Sequence, residues 1–341
     1  MMEKGNFTRE EIFTQPHAWA SALQVLTGQK ENIVSLTGET VKQVIFTGCG
    51  STYYLALAAA ALYQNLTGQI SRGLPASELW QYPTLSYPAG DVLLVAISRS
   101  GATTETINAC EAFNHDKRGK LVTISCYENE PLANMGSCNV VLPSGMEQSI
   151  AQTRAFSTMY LGVVAMSVLA AGRLDLFEDL QKLPALGQAI LDQYAGLAKE
   201  IGANLNIDRF YWLGSGHRYG LASELSLKMK EMTLTHSEPF HFMEFRHGPK
   251  SMITNTAQVI GLRSSALKNH EQAVMDEMKA LGGNVLSIGE ENCTVSFNSG
   301  LDEQIRNILY LPFGQMVAFE RSLVKGLNPD HPHNLDAVVK L

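Results

Sequence analysis

Nine consecutive residues, Ser98-Arg99-Ser100-Gly101-Ala102-Thr103-Thr104-Glu105-Thr106, carry five hydroxyls and one guanidinium. They follow a short apolar run and open a stretch with helical character. Hydroxyls beside the free N–H groups of a helix start suit the terminal phosphate of a small molecule. A helix cap at Thr103 with Glu105 in the first turn would need one hydroxyl, not five, so phosphate binding is the stronger reading. A second glycine-bearing turn, Gly48-Cys49-Gly50-Ser51-Thr52, also leaves a strand and enters a helix. It is not a dinucleotide fingerprint, because Tyr53 stands where the third glycine is required. Further on, Glu224, Lys228 and Glu231 recur at helical spacing, within about 60° of one another on the helical wheel. Taken alone, that spacing favours a solvated, salt-bridged face. Glu244, Arg246, His247 and Lys250 then gather around a Gly-Pro turn. A His and a Glu near a phosphate pocket suggest proton transfer on a carbon beside a carbonyl.

These residues need elements to hold them. Val41–Thr47, Asp91–Ile97, Lys120–Ser125 and Asn139–Leu142 read as buried strands, with helices at Thr52–Leu66 and about Thr103–Phe113. The pattern then restarts, with strands at Arg209–Leu213, Gln258–Arg263 and Asn284–Ile288 and helices at Tyr219–Thr233 and His270–Leu281. Apolar strands alternating with helices predict an α/β fold with parallel sheets covered on both faces. Gly48 and Gly214, Ser98 and Ser264, and Glu105 and Glu271 all stand 166 residues apart. One offset shared by three positions predicts two tandem halves of like topology. The expected organisation is an N-terminal helical segment (1–30), a first domain (31–173), a helical linker (174–206), a second domain (207–330) and a C-terminal tail (331–341).

Composition narrows the function classes. The 341 residues are 45% hydrophobic and 17% charged, with a formal net charge of −7. That is enough apolar material for two cores, and a mildly acidic chain argues against nucleic acid as partner. The apolar stretches Tyr53–Tyr63 and Met159–Ala171 fall short of the roughly 20 residues that span a bilayer, and residues 1–16 show no signal-peptide pattern. Five cysteines without a CxxC pair argue against zinc or a disulfide scaffold and for a cytoplasmic location. His331 and His333 lack a partner set of acidic or Cys residues nearby in sequence, so no metal site is expected.

Taken in order, GCGST, SRSGATTET, ELSLKMKE and EFRHGP resemble the SIS (sugar isomerase) family, and EIFTQP and NPDHPHNL resemble its ends. The likeness runs to the isomerase region of glucosamine-6-phosphate synthase and to stand-alone phosphosugar isomerases, deaminases and deglycases. It implies two SIS domains, each a flavodoxin-like, Rossmann-type parallel sheet flanked by helices, in a homodimer or higher oligomer with composite active sites. It implies a 6-phosphosugar or amino-sugar-phosphate ligand and chemistry without a cofactor. By position, Ser98, Ser100 and Thr103 would hold the phosphate, supported by Gly50, Ser51 and Thr52. Arg99 replaces a usual Gln; Ile150, Ala151 and Gln152 would line the sugar. Glu231 would move the C1/C2 proton, Lys228 would stabilise the enediolate, Glu224 lies one turn earlier, and His247 would open the ring from a neighbouring subunit. Ala337 occupies the place of a tail lysine that forms a Schiff base in the synthase, with Lys340 three residues on. The chain opens at once on the family's start, so a glutaminase domain is expected to be absent and ammonia release favoured over glutamine-dependent synthesis. The implied activity is a phosphosugar isomerase or deaminase. A fructosamine-6-phosphate deglycase and a non-catalytic phosphosugar sensor are the alternatives.

Overall fold

A computed structural model describes residues 4–37, 41 and 43–338; Lys42 and Lys340 lie outside the described residues. The chain forms two five-stranded, all-parallel sheets. The first contains β1 (Gln43–Gly48), β2 (Ile70–Pro75), β3 (Val92–Ser98), β4 (Gly119–Ser125) and β5 (Cys138–Val141). The second contains β6 (Arg209–Leu213), β7 (His236–Phe240), β8 (Ala257–Leu262), β9 (Asn284–Gly289) and β10 (Val295–Ser296). The orders β2-β1-β3-β4-β5 and β7-β6-β8-β9-β10 are the same path drawn twice, and it is the flavodoxin-like order. The sequence offset survives in the elements: β1 and β6 start 166 residues apart (209 − 43), as do β2 and β7 (236 − 70).

Continuous apolar sequence marks the central strands; β3 (VLLVAIS) and β8 (AQVIGL) are buried at every position, as strands covered on both faces should be. The edge strands β2 and β7 escape that signal. β2 reads ISRGLP with no position fully buried, and β7 reads HSEPF. Proline is tolerated in both because an edge strand has no partner beyond it to receive an N–H. Gly73 in β2 is there for a close approach: a Cβ would lie 2.7 Å from the Ala56 carbonyl of the helix Ser51–Thr67.

By contacts the chain divides into two compact units. One consists of Met1–Phe13, Gln148–Thr153 and Ala185–Leu335; the other of Thr14–Glu147, Arg154–Pro184 and Asp336–Leu341. In the unit built on the first sheet, helix Arg154–Ala170 is buried almost throughout and packs against helices Ser51–Thr67 and Gln15–Gly28. Ile45, Leu94, Ala109, Phe113 and Leu121 form an apolar cluster in the same unit. In the unit built on the second sheet, Tyr211, Phe242, Phe245, Val259 and Met275 form another. Helix Arg218–Thr233 packs there on helix Leu311–Val324. Gly314 permits the contact, since a Cβ would come within 2.6 Å of the Leu225 side chain. Among the described residues no helix is long and apolar enough to cross a membrane.

Candidate functional site

Two groups of candidate residues stand out, one in each unit. In the first-sheet unit they lie in the turns that leave the C-terminal ends of β1 and β3, the edge where open α/β sheets take ligands. The β1 turn is shaped by glycine. A Cβ at Gly48 would sit 2.4 Å from Thr52 Oγ1, and Gly50, at φ +55°, adopts a left-handed conformation just before helix Ser51–Thr67. Ser51 and Thr52 are buried in the first turn of that helix. Thr52 closes the turn on itself: its Oγ1 accepts from Cys49 N–H and donates to the Cys49 carbonyl, both at 2.9 Å.

The β3 turn gathers Ser98, Ser100 and Thr103. Ser98 Oγ lies 3.2 Å from Thr103 Oγ1 and accepts from Gly101 N–H at 3.2 Å. Ser100 Oγ accepts from Ala102 N–H at 3.2 Å, and Gly101 turns the chain at φ +71°. Thr103 occupies the cap position of helix Thr104–His115 but makes no side-chain cap bond. The turn therefore presents clustered hydroxyls at the start of a three-turn helix, an arrangement suited to an anion. Arg99, on the same turn, has partners within its unit. It is nearly buried, pairs with the wholly buried Glu147 at 3.4 Å, and donates from Nη2 to the Ala337 carbonyl at 3.0 Å. Position 337 thus offers its backbone to the turn.

In the second-sheet unit the outcome differs from what helical spacing alone favours. Glu224, Lys228 and Glu231 on helix Arg218–Thr233 do share a face, but that face is not solvated. The side chains of Glu224 and Lys228 have no solvent exposure, and Glu231 keeps 18%. Lys228 Nζ lies 3.3 Å from Glu224 Oε1 and donates to Glu231 Oε2. The helix packs on β6 and β7 of its own sheet and on helix Leu311–Val324, and most of its residues, charged and apolar, are buried. The segment Glu244–Lys250 does not form one cluster. Arg246 and Lys250 both pair with Glu277, at 2.6 and 2.7 Å, while Glu244 and His247 stand exposed.

The loop carrying Ile150, Ala151 and Gln152 belongs to this same unit and is held by Glu11 and Asp330, which lie in the EIFTQP and NPDHPHNL segments. Glu11, nearly buried, accepts from the N–H groups of Gln148 and Ser149 at 2.6 and 3.1 Å and from the Ser149 hydroxyl. Asp330 accepts from Thr8 N–H and Oγ1, both at 2.8 Å, and its carbonyl accepts from Ile150 N–H at 3.0 Å. Nothing in their local sequence marks either as a loop anchor: Glu11 follows Glu10, and Asp330 stands between Pro329 and His331. Gln152 Oε1 is buried there without a hydrogen-bond partner among the described residues. His217, at the start of the catalytic-candidate helix, is held neutral by burial and by the neighbouring Arg218, its pKa lowered to about 3.

Comparison with known proteins was consistent across three kinds of likeness. The SIS domain pattern matches residues 22–170 and 205–310. The glutamine–fructose-6-phosphate aminotransferase [isomerizing] of Methanothermobacter thermautotrophicus is 29% identical over 356 residues, spanning 98% of this chain and 58% of that protein. The enzyme of the same name from Zymomonas mobilis is 28% identical, over 98% of this chain and 59% of its own length. The chain thus spans less than two thirds of the length of these relatives. Among solved structures, glucosamine-6-phosphate deaminase from Thermotoga maritima is 25% identical, with a TM-score of 0.78 over 94% of this chain and 100% of that one. Tagatose-6-phosphate ketose/aldose isomerase from Escherichia coli, 23% identical, shares the fold at a TM-score of 0.84 over 96% and 95% of the two chains.

Proposed function

The chain belongs to the SIS domain family, and we propose that it is a phosphosugar aldose–ketose isomerase or amino-sugar-phosphate deaminase. The observation that carries this reading is the buried Glu224–Lys228–Glu231 set. Burying an ammonium and two carboxylates is costly, and well-packed apolar side chains of similar volume are often as stabilising or more so. Ionisable groups held in such a setting are a mark of functional sites. Names of similar proteins point the same way, to an aminotransferase that isomerises, a deaminase and a ketose/aldose isomerase.

In this reading Ser98, Ser100 and Thr103 donate to the sugar phosphate, and Gly50, Ser51 and Thr52 shape the adjoining turn. Arg99 braces the turn from behind through Glu147. Ile150, Ala151 and Gln152 line the sugar. Glu231, the most open of the three charged residues on its helix, takes the proton from C2 of the open-chain aldose and returns it to C1. Lys228 meets the oxyanion of the enediolate that forms between these steps, and Glu224 keeps the ammonium charged and in place. No net oxidation occurs; a hydrogen and an electron pair move within one molecule. With a 2-amino sugar, the resulting C2 imine is hydrolysed and ammonia leaves. His247, exposed on its own chain, serves ring opening in the site of a neighbouring subunit of a homodimer.

The test is a turnover screen with glucosamine 6-phosphate, galactosamine 6-phosphate, tagatose 6-phosphate and a fructosamine 6-phosphate, following ammonia, free amine and ketose. Glu231→Gln is expected to abolish turnover and to leave the binding constant within a few-fold. Unchanged turnover in that variant removes Glu231 as the base. A phosphosugar that raises the melting temperature yet is never converted would make the protein a sensor rather than an enzyme.

A further inference from the structure

The two halves share one path through the sheet, but the turn after β8 is finished differently from the turn after β3. At the 166-residue offset Thr52 corresponds to Arg218, Ser98 to Ser264, Arg99 to Ser265, Ser100 to Ala266 and Glu105 to Glu271. In the second half the backbone donors of this turn already have acceptors. Ser264 N–H donates to Glu271 Oε2 at 2.6 Å, and Ser265 N–H and Ala266 N–H donate to Glu303 Oε2 at 3.0 and 3.3 Å. Arg218 Nη1 donates to Glu303 Oε1, and Arg218 Nη2 lies 3.6 Å from Glu271 Oε1. Arg306 places Nη2 3.9 Å from Glu303 Oε2 and donates from the same nitrogen to Ser265 Oγ at 2.6 Å. Arg218 and Arg306 are both more than nine-tenths buried; Arg306 Nε lies 3.4 Å from Glu290 Oε2, and Arg218 Nε makes no hydrogen bond among the described residues.

Two consecutive backbone N–H groups and two guanidiniums converging on one anionic group is the coordination of a bound phosphate. Here the anion is covalently part of the chain. We infer that Glu303 is a built-in anion that fills the phosphate position of the second half, so that phosphate binding is confined to the first. The side chain of Glu303 retains 21% exposure, unlike the arginines it neutralises. A cavity of about 430 Å³, lined by Arg263, Ser264, Ser265 and Lys268 together with Glu290 and Glu291, opens beside the same turn. Removing the carboxylate leaves the Ser265 and Ala266 N–H groups without their acceptor and Arg218 facing only Glu271, at 3.6 Å, beside a cavity that a soluble oxyanion can reach.

The inference rests on the proposed function only in taking the first turn as the phosphate-binding one, and inorganic phosphate tests the two separately. Titration calorimetry of the full chain is expected to find one more phosphate bound per chain in Glu303→Ala than in the wild type. Phosphate should also raise the melting temperature of the variant more than that of the wild type. Glu303→Ser, which is short enough to open the position and keeps a polar side chain, covers the case in which the alanine variant does not fold, and should gain the same site. Adding Arg218→Met to either variant should remove the gained site. The inference is overturned if neither variant binds more phosphate than the wild type, or if the wild type already binds phosphate at a site that Arg218→Met abolishes. Wild-type binding that Ser98→Ala fails to weaken would instead count against the first turn, and leaves the Glu303 comparison intact.

Discussion

Replacing Lys228 by Met tests whether the three charged residues on helix Arg218–Thr233 act as one unit. Methionine matches the length of the lysine stem and fits the site, so the perturbation is mainly loss of the charge. In the native protein the ammonium has no solvent exposure and contacts a fully buried carboxylate, Glu224, and a mostly buried one, Glu231. Deleting one partner of a buried ion pair costs about 3–5 kcal/mol, because the remaining charge has neither water nor counterion. Set against a typical total stability of about 5–15 kcal/mol, that loss leaves a folded protein whose melting temperature falls by roughly 6 to 20 °C. The pH dependence follows from linkage. Without Lys228, Glu224 is favoured in its protonated form, so its folded-state pKa rises above the unfolded value of about 4.3. A carboxyl shifted in that direction stabilises the fold below about pH 4.3 relative to higher pH, and the advantage is lost as pH rises through the folded value. Urea melts of Lys228→Met between pH 4 and 8 should therefore show a deficit that grows with pH and then levels. Glu224→Gln combined with Lys228→Met should recover a large part of the loss, because no buried charge remains on that side. If Lys228→Met melts with the wild type at every pH, or if the two substitutions simply add, the charges are not coupled and the reasoning fails.

Two further outcomes can be checked directly. Ser98→Ala or Thr103→Ala should weaken binding of a phosphosugar by about 10- to 100-fold, the value of a hydrogen bond to a charged group; equilibrium titration with each variant would show an unchanged Kd if these hydroxyls do not face the ligand. His217, whose pKa burial and Arg218 depress to about 3, makes the fold acid-sensitive. Its contribution is fully present above the unfolded value of about 6.5 and is lost as pH falls toward 3, with a slope of about 1.4 kcal/mol per pH unit. Stability measured against pH in His217→Gln should lack that slope, and a parallel acid limb in variant and wild type would exclude His217 as its source.

Much of this architecture is legible before any coordinates, and the reasons are physical. A strand buried on both faces is apolar along nearly its whole length, so β3 and β8 announce themselves, and their ends fall within one residue of the expected Ile97 and Arg263. Edge strands escape because water satisfies one side of them; Arg72 and Pro75 in β2 and His236 and Pro239 in β7 carry no such signature. The face of helix Arg218–Thr233 is legible as a spacing but not as an environment. Glu, Lys and Glu at positions 224, 228 and 231 read the same in water or in a core. What distinguishes the two is burial of the side chains, and only tertiary packing supplies that. Arg99 is a similar case. Its type does not say whether it meets an anion or points away, and its neighbour Glu147 stands 48 residues later in the chain. Glu11, Asp330 and Glu303 were invisible for the same reason: a single carboxylate acquires its role from distant backbone N–H groups.

The comparison between halves explains why one fold, used twice, need not make two equivalent sites. A parallel sheet delivers a donor-rich turn at the end of each strand whatever the sequence, since the N–H groups there come from the backbone. Those donors must be satisfied, and the chain has two ways to do it. In the first half the turn carries hydroxyls, which bond to one another and to the backbone at 3.2 Å and can be redirected to a ligand. In the second half Arg218 stands at the position of Thr52, and a buried guanidinium demands a permanent counterion. Glu303 and Glu271 meet that demand and take the backbone donors as well. A single exchange of Thr for Arg therefore commits a turn to internal neutralisation. The chemistry that a half can host is decided by whether its anion arrives with the ligand or is already part of the chain.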